Sequence, residues 1–160
     1  MSLQDQEAFL SNIHPFQVLN EDQMELCIKH MDIAYYPKDS VLITPEKISN
    51  HFFIIIKGTV YEYGQDNLVV MDYHHEDSFD SNSLIYGKCK HTFKVHEDLI
   101  CYELEKNSFL KLIEQNQQFK DFFLKDLVNK IKTLKDKEYT SELSSFMIAK
   151  VEDTLVHEAC

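Results

Sequence analysis

Short apolar runs separated by polar turns fill the middle of the chain. The run at 52–56 is apolar throughout, which is typical of a strand covered on both faces. Residues 59–63 and 68–73 alternate between apolar and polar around a loop that begins with Gly64, as in a β-hairpin. Four more strands are predicted at 33–36, 41–43, 92–96 and 99–104, the last two separated by a turn at 97–98. Many short, evenly spaced strands predict a mainly β fold, a sandwich or jelly-roll barrel.

Helical periodicity is restricted to the two ends of the chain. A short helix is predicted at 4–10, and Asn20 and Gln23 have the spacing of a capping box before a second helix. A third helix is predicted to begin at Asn107 or Ser108, and a fourth to run from about Gln118 to beyond residue 134. The fourth helix carries an apolar stripe that either packs on its own domain or meets a partner helix: Phe119, Phe123, Leu127, Ile131 and Leu134.

The segment 76–95 interrupts the strands with a different pattern. Ser81 can cap a single helical turn that extends through Leu84, and Gly87 then allows the backbone to turn back. A helix that begins inside a β-structure presents unpaired N–H groups, which attract anions. This segment is therefore the candidate ligand site.

Composition and charge restrict the possible partners. A chain of 160 residues, 44% of them hydrophobic, is long enough for one domain with a core. A net charge of −11 argues against duplex DNA or an anionic membrane as a direct partner. The residues after 134 are too few for a helix-turn-helix, which argues against a transcription factor. Without a membrane-length apolar run or a signal peptide, the protein is expected to be cytoplasmic.

Three stretches together resemble the cyclic nucleotide-binding domain family. They are Phe-Gln-Val-Leu-Asn-Glu-Asp-Gln at 16–23, Tyr-Pro-Lys at 36–38, and Phe-Phe-Ile-Ile-Ile-Lys-Gly-Thr-Val at 52–60, in which Gly58 is the most specific position. The resemblance covers residues 5–138. It implies an eight-stranded jelly-roll β-barrel flanked by N-terminal and C-terminal helices, with Gly58 at a structural turn.

The resemblance also implies that the segment 79–92 is the phosphate-binding cassette of the family. In that cassette, helix N–H groups and an arginine hold the cyclic phosphate, and a glutamate accepts a hydrogen bond from the ribose. Phe79 matches the aromatic position, Asp80 the glycine, Ser81 the glutamate and Leu84 the later leucine. The arginine position falls on Cys89 or, with a small shift, on Lys90 or His91. The candidate ligand-binding residues are Phe79, Asp80, Ser81, Leu84, Lys88, Cys89, Lys90, His91 and Thr92.

The chain departs from the family pattern in its charges. Acidic residues stand at four family glycines: Asp39, Glu46, Glu76 and Asp80. A buried phosphate without its arginine is poorly paired, which costs on the order of several kcal/mol. Cyclic AMP or cyclic GMP bound in the manner of the family is therefore disfavoured unless Lys88, Lys90 and His91 point inward. No cofactor is assigned.

Other chemistry is weakly indicated. His74, His75 and Glu76, with two further histidines at 91 and 96, suggest a metal site, but adjacent residues of a strand point to opposite faces. No metal site is therefore predicted. Cys89, between two lysines, is either a reactive thiolate or a space-filling side chain. No catalytic arrangement is visible, so any enzymatic activity is expected outside this chain.

The C-terminal residues carry a second resemblance. Residues 144–157 (Ser-Ser-Phe-Met-Ile-Ala-Lys-Val-Glu-Asp-Thr-Leu-Val-His) look like the first part of a CBS domain, and 139–160 is assigned as a linker and the possible start of a truncated CBS domain. This order of domains resembles bacterial signal-transduction proteins that carry a CBS pair and a predicted nucleotidyltransferase region.

Two functions of different classes follow from the sequence. The first is a regulatory ligand-sensing module with a degenerate cassette, which signals through its C-terminal helices and forms a homodimer through the last one. The second is a barrel that has lost its ligand and serves as a dimerisation or protein-interaction domain.

Overall fold

The computed structural model describes residues 3–47, 49–87 and 89–134. One compact unit spans Met1–Lys120, and a second begins at Asp121. The helices are α1 (Leu3–Ser11), α2 (Glu21–Lys29), α3 (Ser81–Tyr86), α4 (Lys106–Gln115) and α5 (Gln117–Leu134), with a 3₁₀ turn at Phe16–Val18. The strands are β1 (Met31–Tyr36), β2 (Val41–Ile43), β3 (His51–Tyr63), β4 (Val69–Tyr73), β5 (Ser78–Phe79) and β6 (Thr92–Glu105).

The strands form one antiparallel sheet in the order β1-β6-β3-β4. Strand β6 pairs with β1 from Met31↔Leu104 to Tyr36↔Leu99 and also with β2, while β5 pairs with β3. The predicted class, a mainly β structure flanked by helices, is confirmed. The described residues contain six strands, whereas eight were predicted.

The difference in strand number arises partly because two predicted breaks are not strand ends. Strand β3 continues through Gly58, and β6 continues through residues 97–98. The pairing of β3 with β6 shifts register on both sides of Gly58, so extra residues are absorbed as irregularities while pairing continues. Gly58 has φ +110°, and a Cβ there would lie 2.3 Å from the carbonyl oxygen of Asp98. The predicted structural turn at Gly58 is thus a close approach of two strands.

Aromatic side chains form a separate core on each face of β3, because consecutive strand residues point to opposite faces. Phe52 stacks on Phe109 with ring centroids 4.7 Å apart, on the side covered by helices. Phe53 stacks on Phe79 at 4.8 Å, inside the barrel. The outer cluster contains Phe16, Phe52, Phe109 and Phe119, and the inner cluster contains Phe53, Tyr73, Phe79 and Phe93.

The helix starts confirm one prediction and correct another. The Asn20 side chain accepts from the Gln23 N–H at 2.9 Å, and the Gln23 side chain accepts from the Asn20 N–H at 3.1 Å, so the capping box is present. The predicted cap of α4 at Asn107 or Ser108 is wrong, because the helix already begins at Lys106 and its cap position, residue 105, makes no side-chain capping hydrogen bond. Among the described helices, none is long and apolar enough to cross a membrane.

Candidate functional site

The cassette backbone forms largely as the sequence predicts, but Ser81 is the first residue of the helix, so the cap position is Asp80 and the predicted cap at Ser81 is wrong. Strand β5 places Phe79 beside Phe53, and α3 follows at once from Ser81. The helix continues to Tyr86, two residues beyond the predicted turn. Gly87 has φ +83°, the left-handed conformation that glycine adopts without strain.

The acidic residues at family glycine positions keep the glycine-like backbone in three of four cases. Asp39, Glu76 and Asp80 have φ of 75°, 70° and 83°, whereas Glu46 is not among the residues with positive φ. A left-handed conformation costs a residue with a side chain about 1–2 kcal/mol. The turns are therefore retained here at an energetic cost, and Asp80, only 4% exposed, also brings a carboxyl group into the interior.

The structure brings most of the predicted ligand residues to one buried region. Phe79, Asp80, Ser81, Leu84 and His91 are buried, and Cys89, Lys90 and Thr92 are partly buried. Lys88 lies outside the described residues. Their role in ligand binding stays a prediction.

A buried polar network links strands β3 and β4 to the cassette. The Tyr73 hydroxyl donates to Glu62 Oε1 at 2.6 Å, and His91 Nδ1 donates to Glu62 Oε2 at 2.5 Å. The side chains of His91 and Glu62 are only 3% and 5% exposed. Because one partner satisfies each carboxylate oxygen, the network tolerates burial.

Glu62 is the site residue that sequence reasoning missed. The alternating pattern of residues 59–63 contains the signal, since Glu62 shares a strand face with Val60, which is fully buried. Its partners lie 11 and 29 residues away along the chain, and only the register of β3 with β4 and β6 brings them together.

The charge of the site is acidic around Cys89. Burial raises the pKa of Cys89 to about 12. The hydrogen bond to His91 opposes this shift, whereas the carboxylates of Asp80 and Glu62 add to it. The Cys89 thiol donates to the His91 carbonyl at 3.0 Å and packs against the inner core. The raised pKa and the packing favour the space-filling alternative for Cys89 over the reactive thiolate. The same two carboxylates oppose an anion at this place.

The other histidines do not converge with His91. His74 is exposed and lies 2.7 Å from Asp72, and His75 is exposed and lies 2.5 Å from the Ile56 carbonyl. His96 is also exposed and stacks on Tyr61. Within the described part of the chain, no three His, Cys, Asp or Glu side chains are arranged to hold a metal ion.

The apolar stripe predicted on the last helix, α5, lies only partly within the described side chains. Phe119, Phe123 and Leu127 are buried, while the side chains of Ile131 and Leu134 lie outside the described ones. Phe119 packs against Phe16 and Phe109 at centroid distances of 5.4 and 6.1 Å. Nearer the cassette, α3 contacts α4, and α4 contacts α2.

Comparison with solved structures shows the same fold at low sequence identity. Cyclic-AMP-bound PfPKA-R (141-441) is 20% identical with a TM-score of 0.74, over 84% of this chain and 47% of that one. The sensor domain of the transcriptional regulator DNR from Pseudomonas aeruginosa is 14% identical with a TM-score of 0.68, over 78% of this chain and 91% of that one. The regulatory subunit of a cAMP-independent protein kinase A from Trypanosoma cruzi, bound to guanosine, is 14% identical with a TM-score of 0.61, over 74% of this chain and 47% of that one.

The sequence comparisons narrow the assignment further. No curated protein matches the chain. The chain spans about half the length of PfPKA-R (141-441). A protein-family model described as the cyclic nucleotide-binding domain matches residues 33–116, which is more than half of the chain. The chain therefore belongs to the cyclic nucleotide-binding domain family.

Proposed function

We propose that the chain is a regulatory ligand-sensing module whose cassette binds an uncharged nucleoside, guanosine in preference to adenosine, instead of a cyclic nucleotide. Domains of this family are regulatory and not catalytic, which supports the first part of the proposal. The buried Glu62 carboxylate beside the cassette is the observation that carries the second part.

The charge of the site argues against a cyclic phosphate. Two carboxylates, Asp80 and Glu62, act on the Cys89 thiol, which stands at the aligned arginine position. The Nδ1 N–H of His91 already donates to Glu62, so this donor is used within the protein and not for a phosphate. An anion placed here meets like charge and lacks the arginine fork, a combination that costs on the order of several kcal/mol.

The hydrogen-bonding capacity of Glu62 favours a neutral ligand with paired N–H donors. A carboxylate offers about four lone-pair positions, and Glu62 uses two of them for Tyr73 and His91. Guanine presents two adjacent N–H donors on its Watson–Crick edge, whereas adenine presents one donor beside an acceptor. The guanosine bound to the Trypanosoma cruzi neighbour supports this assignment.

The helices would transmit ligand binding from the cassette to other domains. The cassette helix α3 contacts α4, which contacts α2, so a ligand that shifts α3 acts on the packing of both. The proposal includes relay through the stripe that begins at Phe119 and a homodimer formed through α5. The CBS and nucleotidyltransferase regions belong to the same proposal, as the domains that would receive the signal.

Titration calorimetry with guanosine, adenosine, cyclic GMP and cyclic AMP tests the proposal. We expect guanosine to bind best and cyclic GMP to bind at least about tenfold more weakly, because cyclic GMP carries an anionic phosphodiester in place of the free 3′- and 5′-hydroxyls. Glu62→Gln should weaken guanosine binding about tenfold and reduce the difference in affinity between guanosine and cyclic GMP. Glu97→Gln removes an exposed carboxylate of β6 and should change neither the affinity for guanosine nor its difference from the affinity for cyclic GMP.

The outcomes separate the two candidate functions. Cyclic nucleotides that bind as tightly as guanosine would contradict the proposal. No heat from any of the four ligands would favour the protein-interaction domain. That alternative is supported by two large exposed apolar side chains on β1, Ile33 at 49% and Tyr35 at 61% exposure. Light scattering on the same samples measures the mass, and the proposed homodimer predicts twice the mass of one chain.

A further inference from the structure

A cavity of about 300 Å³ lies between the end of β1, strand β2 and the start of β3. None of the residues that line it belongs to the cassette at 79–92. Its volume is at the lower end of the range for small-molecule sites. Neither the family match nor the proposed function assigns a ligand to it.

One wall of the cavity is apolar. Phe53, 3% exposed, and the partly buried Leu42 line it. The Phe53 ring is held in place by its stacking on Phe79. A fixed aromatic side chain and an aliphatic neighbour form a surface on which a flat apolar group packs well.

Next to Phe53, on the same face of the sheet, the cavity carries a carboxylate with unused hydrogen-bonding capacity. Glu103 pairs with Phe53 across β3 and β6 and is partly buried. The Tyr36 hydroxyl donates to Glu103 Oε1. Across the described residues, Glu103 Oε2 accepts no hydrogen bond, and Glu103 forms no ion pair. A carboxylate can accept about four hydrogen bonds, so Glu103 keeps positions that a ligand donor can occupy in place of water.

Among the described residues that line the cavity, neither Lys47 nor His51 forms an ion pair with Glu103. Burial, and then the hydrogen bond to Glu103, raises the pKa of Tyr36, so its hydroxyl stays protonated and acts only as a neutral donor. Lys47 lies on the rim with an exposed side chain, whose ammonium group water solvates. The chain as a whole carries −11 charges, which raises the local concentration of cations.

We propose that this cavity is a second binding site, specific for a small aromatic amine. The ammonium group would donate to Glu103 Oε2, and the ring would lie against Phe53 and Leu42. None of the residues that line this cavity belongs to the nucleoside site, although Phe53 stacks on Phe79 of the cassette. An anionic or neutral analogue of the same shape lacks the charge-assisted hydrogen bond and binds more weakly.

Three probes that share a phenyl ring test the proposal on the unmodified chain. Phenethylamine carries a positive charge, phenylethanol none and phenylpropionate a negative charge. In titrations followed by NMR, we expect phenethylamine to shift the amide signals of Phe53 and Glu103 and to bind about tenfold more tightly than phenylethanol. Binding of phenylpropionate with equal affinity, or the absence of shifts at these residues with phenethylamine, would overturn the proposal.

A pair of matched variants assigns the charge to Glu103. Glu103→Gln keeps the shape and should reduce the affinity for phenethylamine about tenfold while leaving phenylethanol unchanged. Glu97→Gln, on the exposed part of the same strand, should leave both affinities unchanged. If Glu103→Gln folds and binds phenethylamine as the unmodified chain does, the assignment fails. If it does not fold, the comparison of the three probes still decides.

Discussion

At the residue scale, the backbone of the site was more predictable than its chemistry. The family glycine at Gly58 and the acidic replacements at Asp39, Glu76 and Asp80 could be located by resemblance, and their φ values show that all four positions use the left-handed conformation. Glu62 could not be located in this way, because its role depends on partners from other strands. A one-dimensional pattern indicates that Glu62 faces inward but does not indicate what it meets.

Two glycines with positive φ differ in the space around them, which gives a clean comparison. Gly58→Ala should lower the free energy of unfolding by about 3 kcal/mol or more, because its Cβ meets the Asp98 carbonyl oxygen at 2.3 Å in addition to the backbone strain. Gly87→Ala should cost only about 1 kcal/mol, since no atom lies within 4 Å of its Cβ. Urea unfolding measures both, and equal losses would show that the close approach at Gly58 is not rigid.

At the element scale, periodicity and capping signals identified the helices at both ends and the hairpin of β3 and β4. The predicted breaks at 58 and 97–98 were wrong because glycine and charged residues also occur at strand irregularities, where pairing continues. The capping residue of α5 was not predicted, for a different reason. Asn116 accepts from the Phe119 N–H at 3.0 Å and donates to Gln23 Oε1 at 2.9 Å, so its role depends on a helix 93 residues away.

Asn116 joins the caps of two helices, and its replacement should cost more than the loss of one cap. Asn116→Ala removes the α5 cap and two donated hydrogen bonds, to Gln23 and to the Val18 carbonyl, so we expect a loss of about 2 kcal/mol in urea unfolding. Asn20→Ala removes a single cap and should cost about 1 kcal/mol. Asn116→Asp, which keeps the acceptor but not the donor, should fall between wild type and Asn116→Ala. Equal losses for Asn116→Ala and Asn20→Ala would mean that the donated bonds contribute nothing.

At the scale of the whole molecule, the fold was predictable because it depends on many weak positions. The family resemblance is confirmed by the match over residues 33–116, which includes the stretches 36–38 and 52–60 but not 16–23. The ligand depends instead on a few side chains, and these depart from the family pattern at the aligned glycine, glutamate and arginine positions. Fold and ligand preference are therefore separable in this chain.

The two aromatic cores share strand β3, and this predicts a single cooperative unfolding transition. Phe52→Leu removes a ring from the outer core and Phe53→Leu removes one from the inner core, so each should lower stability by about 1–2 kcal/mol. Far-ultraviolet circular dichroism reports mainly the helices, and near-ultraviolet circular dichroism reports the tyrosines. Because one strand carries both residues, the two measurements should give the same unfolding midpoint in each variant. The chain has no tryptophan and 8 tyrosines, among them Tyr73 in the inner core and Tyr102, which contacts Phe9 of α1. A lower midpoint for the helices alone in Phe52→Leu would show instead that the helical layer unfolds independently of the barrel.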